Sequence, residues 1–320
     1  MRRPRATLVL SLAVLLGGGA AARAASGTVD RALHESFDVQ AGDRLVLRHG
    51  DGDVRISPWD RDVLEVDVVY RADYSEGGLG MSSERDFTVD FERRDRDVRV
   101  TGREIGGGGV RIGWSTMKVY EHRFTVRAPA WLELEVRGED GDVEVSGWTG
   151  PSDVRLEDGD LTVDGFTGTL EAVLEDGDLT LRDCRLQGAR FELEDGDVDL
   201  AGVSGDLRLA TVDGDITARA LSPHRVSIQS EDGDVDLLIL AVEALDLQVR
   251  TADGDARLEL GEGVSARFEV ATAGGDVRVD LPPGTELDEH ANGATGSLGG
   301  GAGRVLVRTE DGSVSLRGGR

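Results

Sequence analysis

One cysteine, one lysine and 14 aromatic side chains in 320 residues are the scarcities that first bound this chain. With Cys184 alone no internal disulfide can form, so stability has to come from backbone hydrogen bonding and packing. Cys184 itself reads as a small buried filler, because a reactive thiol needs a nearby base or positive field. So few aromatics beside 45 glycines do not fill one large core. Many small aliphatic layers suit that composition better, and 39% apolar residues exclude wholesale disorder. Arginine supplies 35 of the 36 basic residues, a composition from which no function follows. Acidic residues outnumber basic ones by 62 to 36, giving a net charge of -26. Nucleic acid and anionic lipid are therefore poor partners, whereas divalent cations, basic proteins and neutral glycans remain open.

Long apolar runs are also missing. The one pronounced run, Ala6 to Leu16, follows Arg2, Arg3 and Arg5 and is shorter than the roughly 18 residues of a spanning helix. Ala22-Arg23-Ala24 then supplies a small-x-small cleavage pattern, so residues 1–25 read as an export signal. No cysteine stands near that site to take a lipid. Removing the signal takes four arginines with it and leaves a mature chain near -30, destined for the periplasm, the cell surface or the medium. No transmembrane segment is expected after cleavage.

Catalytic motifs are absent in the same way. The histidines, His34, His49, His122, His224 and His290, show no HExxH spacing, and there is no GxSxG elbow. Gly106 to Gly109 lack the following Lys-Ser or Lys-Thr of a phosphate loop and read as a flexible loop, like Glu76 to Ser82. Carboxylate pairs occur throughout, and a uniform series singles out no acid and partner of the kind a glycosidase needs. The chain is read as no enzyme; a polysaccharide-acting enzyme on a β-helix is the second alternative, after a Ca²⁺-binding structural or ligand-binding solenoid. Trp59, Trp114, Trp131 and Trp148 lie in the first half, where they either cap the core or form a contact face for a glycan or protein.

What the chain does have is a repeat. The phrases GEDGDVEV, LEDGDLTV, LEDGDLTL, LEDGDVDL, TVDGDITA, SEDGDVDL, TADGDARL, TAGGDVRV and TEDGSVSL centre on Gly141, Gly159, Gly177, Gly196, Gly214, Gly233, Gly254, Gly275 and Gly312. Their steps are 18, 18, 19, 18, 19, 21, 21 and 37 residues. The last step is taken as two periods, with one copy blurred around Pro282-Pro283-Gly284 and the glycine-rich stretch to Gly303. Two and four residues after each glycine stand aliphatics such as Leu179 and Leu181 or Val198 and Leu200. Five and seven before it stand others, such as Leu209 and Leu207. This alternation marks two strands per repeat, each with one buried face.

Strands too short to bury a face alone are satisfied by stacking. The fold expected is all-β, a parallel β-solenoid of about ten or more short rungs at about 4.8 Å spacing, with two strands per 18–21-residue repeat. The alternative is an antiparallel β-sandwich of hairpins turning at Asp-Gly. A hairpin series gives no reason for a second turn to repeat as well, as Gly147-Trp148-Thr149-Gly150 and Gly165-Phe166-Thr167-Gly168 do. Residues 128–320 form the repeat region. Residues 26–127 hold one corner phrase, HGDGDVRI at Gly52, and longer strand candidates at Val63 to Tyr70, Phe87 to Phe91, Val98 to Thr101 and Tyr120 to Val126. They are read as the solenoid's start and the cap of its open end.

HGDGDVRISPWDRDVLEVDVVY, followed by serial DGD units behind an export signal, resembles the bacterial putative-adhesin family, a domain of unknown function made of β-strand repeats. The resemblance covers nearly the whole mature chain. It implies a non-enzymatic role in adhesion, scaffolding or envelope-associated binding, toward a cell-envelope protein or glycan. It brings no catalytic residues. The corners here are more acidic than the family's Ser-Gly-Asp form.

Those corners are the sharpest chemical feature. Carboxylates stacked at 4.8 Å repel by roughly 1 kcal/mol per pair even at the dielectric of water, so something must relieve them. In one reading the Asp before glycine bonds its own turn and the Asp after it faces solvent. In the other, Asp158 and Asp160, Asp176 and Asp178, Asp195 and Asp197, Asp213 and Asp215, and Asp232 and Asp234 form a Ca²⁺ ladder, since Ca²⁺ takes several carboxylate oxygens at flexible geometry. No other cofactor is expected.

Overall fold

The computed structural model describes residues 25–77, 86–105, 114–240 and 244–318. The expected export signal, apart from Ala25, and the Gly106 to Gly109 loop lie outside the described residues, as does all of the Glu76 to Ser82 loop except Glu76 and Gly77, which end a strand. The chain is all-β and solenoid-like, with 26 strands and no helix among the described residues.

The strands fall into two sheets. In each repeat the strand leading into the corner glycine lies in one sheet, called B, and the strand leaving it lies in the other, A. Ser152–Asp158, Thr167–Asp176, Arg185–Asp195 and Ser204–Asp213 pair in parallel in sheet B. Leu161–Asp164, Leu179–Arg182 and Val198–Ala201 do so in sheet A. Each strand pairs with its equivalent one repeat away, and the strands on either side of an Asp-Gly-Asp corner do not pair with each other.

The alternation seen in the sequence becomes the core. Leu161, Leu179, Val198 and Ile216 form one buried file of sheet A, while Val154, Ala172, Phe191 and Leu209 form a facing file of sheet B. At the second turn a further buried file runs Trp148, Phe166, Cys184, Val203 and Leu221, joined rung to rung by backbone hydrogen bonds such as Arg185 N–H to Phe166 C=O. Cys184 is thus a core residue of this file, and burial pushes its thiol pKa up. Trp148 donates its indole N–H to Leu132 C=O at 2.8 Å.

At the main corner the backbones come very close. A Cβ on Gly196, whose φ is 145°, would overlap the carbonyl of Gly177 below it, and the same holds up and down the file. Only glycine combines that φ with that approach.

The rung order differs from the chain order at both ends. Gly312 stacks on Gly254, and Gly275 stacks on Gly312. Correspondingly, Gly303–Asp311 lies between Asp246–Asp253 and Ala266–Thr272, and Val314–Gly318 lies between Ala256–Leu260 and Val277–Asp280. The 37-residue step therefore hides no degenerate copy. The chain makes its outermost rung first, crosses over through Glu286–His290 and Gly293–Leu298, and returns to fill the place before it. Those crossing strands add antiparallel pairs beside Ala266–Thr272.

The amino-terminal end mirrors this. Arg44–His49 and Asp53–Trp59 lie between the Glu133–Asp140 and Val143–Ser146 rung and strands Asp97–Ile105 and Trp114–Pro129. Beyond these, Val63–Gly77 and Ala25–Asp38 continue sheet A in antiparallel fashion, and Asp86–Arg94 continues sheet B. The four candidate strands of this region are all present and longer than the pattern suggested.

Candidate functional site

The two aspartates of each corner have different jobs. The one after the glycine accepts a backbone N–H from its counterpart one rung on. Asp160 N–H reaches Asp142 Oδ1 at 3.0 Å, Asp178 N–H reaches Asp160 at 2.9 Å, and Asp197 N–H reaches Asp178 at 2.8 Å. The ladder continues through Asp215, Asp234 and Asp255 to the Ser313 N–H, each bond at 2.8 Å. Each carboxylate thus meets a donor that points along the stack, which offsets the repulsion anticipated for this file. At its far end Asp234 also meets Arg257 at 2.8 Å, and that guanidinium together with the Asp255 N–H lowers its pKa.

The aspartate before the glycine has no such donor. Asp158, Asp176, Asp195 and Asp213 stand in register as a second file, continued by Asp232 and Asp253. Desolvation first, then the charges of and hydrogen bonds with the neighbouring aspartates, raises the carboxyl pKa at Asp176, Asp213 and Asp253, every second member from Asp176 on. Like charges stacked one above another make each further ionisation costlier, and that is the sense of these shifts. All ten aspartates proposed as Ca²⁺ ligands therefore line one edge in two files. Among the described residues, though, only His34, Glu65 and Asp67 bring three ligand atoms within 4.8 Å of one another. They sit on the exposed face of the antiparallel pair Ala25–Asp38 and Val63–Gly77, with His34 Nδ1 2.7 Å from Asp67 Oδ1. That hydrogen bond raises the His34 pKa.

Two other histidines are buried. His49 and His122 are 3% and 8% exposed, and none of their four ring nitrogens has a hydrogen-bond partner. They pack with Tyr70, Phe87 and Phe124, His122 standing edge-on to Phe87 with ring centres 4.2 Å apart. His49 leans over Gly138, where a Cβ would overlap its ring. Burial lowers both pKa values to about 4.

The tryptophans do not share a face. Trp148 is wholly buried, Trp59 is half-buried and donates to Val63 C=O at 2.7 Å, and Trp131 is 38% exposed. The Trp114 side chain lies outside the described residues.

The outer face of sheet B carries a groove of about 290 Å³ that sequence reading did not single out. In register across neighbouring strands, the file Glu135, Asp153, Glu171 changes sign to Arg190 and Arg208, then becomes Ser227 and Gln248. The neighbouring file runs Glu192, Ala210, Gln229 and Arg250. Ala210 and Ser227 are short among long neighbours, and that difference in length makes the groove. Three guanidiniums and one carboxylate line it, a local positive excess on a protein of net charge -26.

A family model matches residues 42–317, nearly the whole described chain. The chain belongs to the Toastrack DUF4097 family. This is the domain of unknown function with β-strand repeats that the corner phrases resemble. None of the curated proteins matches it. Two solved structures are similar to this Toastrack chain. One is a putative cell adhesion protein from Clostridium sporogenes, at 10% identity and TM-score 0.23 over 91% of this chain and 100% of that one. The other is a putative lipid binding protein from Parabacteroides distasonis, at 13% identity and TM-score 0.35 over 90% and 97%. No helix among the described residues is long and apolar enough to cross a membrane.

Proposed function

We propose that this Toastrack protein is an exported, non-enzymatic binding scaffold of the bacterial cell envelope, a parallel β-solenoid of about ten rungs that presents its sheet faces to an envelope protein or glycan. The observation that carries this reading is the continuity of the outward files. Glu135 through Gln248 stay in register over seven successive strands of sheet B, so the fold holds an extended, ordered surface whose charge changes along its length. Stacked-repeat proteins use such extended surfaces for binding. The export signal at residues 1–25 supplies the route, and the acidic balance steers the protein away from nucleic acid. The test is an envelope pull-down with the mature chain, residues 26–320, run with and without Ca²⁺. Recovery of defined envelope material supports the reading; a chain that recovers nothing above an acidic control protein contradicts it.

A second reading, Ca²⁺-dependent structure or ligand binding, is favoured by the file before the glycines, where desolvation and the neighbouring aspartates raise the pKa of Asp176, Asp213 and Asp253. A ligand bound only by the folded state at 100 times its dissociation constant adds about 2.7 kcal/mol. The melting temperature in millimolar CaCl₂ should then exceed that in NaCl of equal ionic strength, and the excess should vanish in an Asp176→Asn, Asp195→Asn, Asp213→Asn variant. Coincident melting curves reject it.

A further inference from the structure

The groove on sheet B is more specific than a scaffold requires. Arg190 spends its charge on Glu192, its Nε lying 2.7 Å from Oε1. Arg250 lies against the side-chain amide of Gln248, whose oxygen it meets once the amide is turned to suit its donors. Arg208 lies between them, exposed, and has neither an ion pair nor a hydrogen bond among the described residues. Beside it the short side chains of Ala210 and Ser227 leave the floor open, with the exposed Gln229 amide next to them. Across four strands, from Arg190 to Arg250, the groove runs about 14 Å.

Resting on the reading above, we propose that this groove is a binding site for an acidic saccharide, in which the Arg208 guanidinium takes a ring carboxylate and the surrounding amides and hydroxyl take the sugar's hydroxyl groups. A guanidinium matches a carboxylate with two parallel N–H···O bonds, and Arg208 has that fork free. Gln229 and Ser227 each offer a donor and an acceptor, the pairing that a polyhydroxylated ligand needs. A peptide strand fits poorly, because all four strands beneath the groove are paired on both sides and leave no backbone edge to extend. The long-range charge of the protein would repel an anion, yet at physiological ionic strength it is screened beyond about 8 Å, while contacts inside the groove are not.

The test is calorimetric titration of the mature chain with a galacturonate trisaccharide and with its neutral galactose counterpart, at 0.15 M NaCl with Ca²⁺ chelated so that the ion cannot bridge the sugar to the aspartate files. Two variants accompany it. Arg208→Ala removes the free guanidinium, and Ala210→Glu fills the floor and adds a negative charge while keeping every arginine. The expected result is binding of the acidic sugar, at least tenfold weaker binding of the neutral one, and at least a tenfold loss in each variant with an unchanged melting temperature. Absence of acidic-sugar binding, equal affinity for both sugars, or unchanged affinity in the variants overturns the proposal. Envelope pull-down separates the two levels. A groove that fails in calorimetry while the unaltered chain still recovers envelope material sinks the groove and spares the scaffold reading, whereas failure of the unaltered chain to recover any sinks the scaffold reading itself.

Discussion

Between pH 6.5 and about 4, acid should destabilise this fold above all through two imidazoles. His49 and His122 are neutral in the core, with pKa values lowered to about 4 from an ordinary 6.5, by burial above all. For His49 the charge of His122 is the next cause, while the nearby carboxylates of Asp51 and Asp53 partly restore His122. The unfolded chain takes up these protons from pH 6.5 downward and the folded chain does not. Their contribution is therefore complete above pH 6.5, shrinks as the pH falls from 6.5 to about 4, and changes no further below that. At about 1.4 kcal/mol per pH unit, His49 alone accounts for a loss of about 3 kcal/mol across that window. The aspartates of raised pKa act in the opposite direction, since the folded state gains protons there and is stabilised as the pH falls. A comparison with His49→Leu cancels them, because both chains carry the same corners. Leucine is also the residue that the next strands place in this file, at Leu156, Leu174 and Leu193. The assay is urea unfolding of both chains from pH 7.5 to 4. The unaltered chain should lose about 3 kcal/mol more than the variant, all of it below pH 6.5. Parallel profiles would refute the reasoning.

At the corner of Gly177, Asp178→Ala removes the acceptor of the Asp197 N–H and should cost about 1 kcal/mol, whereas Asp176→Asn relieves repulsion and should leave the melting temperature unchanged or raise it. Equal losses would show that the two files are not distinct. Leu200→Asp, a charge placed at a fully buried position, should cost more than about 3 kcal/mol in urea unfolding, while the outward Asp199→Asn stays under about 1 kcal/mol. Ala220 sits at φ 57° in the second turn, where neighbouring repeats place Gly202 and Gly165, so Ala220→Gly should stabilise by up to about 1 kcal/mol; a loss would mean that the turn is not left-handed.

Much of this architecture was legible because a period of two along each strand and a fixed step between strands leave columns in the alignment. The inward files at Leu161, Leu179 and Val198 and the glycine file could be read directly. The role of Asp160 and Asp178 could not, because an Asp after Gly looks the same whether it faces water or accepts a neighbour's N–H. The end rungs were misread for a physical reason. Chain order is the natural default for a stack, and nothing local in Val305 or Val307 announces that they insert beside Leu247 and Val249 rather than beyond Phe268 and Val270. The groove did leave a signal. Six residues before each corner glycine the run Glu135, Asp153, Glu171, Arg190, Arg208 changes sign once, and four residues before it the short Ala210 stands between Glu192 and Gln229. His49 and Gly138 likewise occupy the place three before the glycine that Leu156, Leu174 and Leu193 fill in the next repeats and Thr or Ser fills from Thr211 on, and the imidazole beside a glycine is the departure that marks the buried ring.

Every property assigned to this surface depends on strands lying in parallel in the stated order, and paired cysteines test that order directly. Glu259 is in register with Arg317 on the adjacent strand, and Asp280 is in register with Arg317 from its other side. Adjacent parallel strands are about 4.8 Å apart, within reach of a disulfide, whereas two strand spacings exceed the roughly 7 Å limit. Oxidative cross-linking of Glu259→Cys with Arg317→Cys, and separately of Glu259→Cys with Asp280→Cys, should join the first pair and not the second, while the buried Cys184 stays free in both. A disulfide in the second pair and none in the first would mean that the rungs follow chain order, and the inserted carboxy-terminal strands would be wrong.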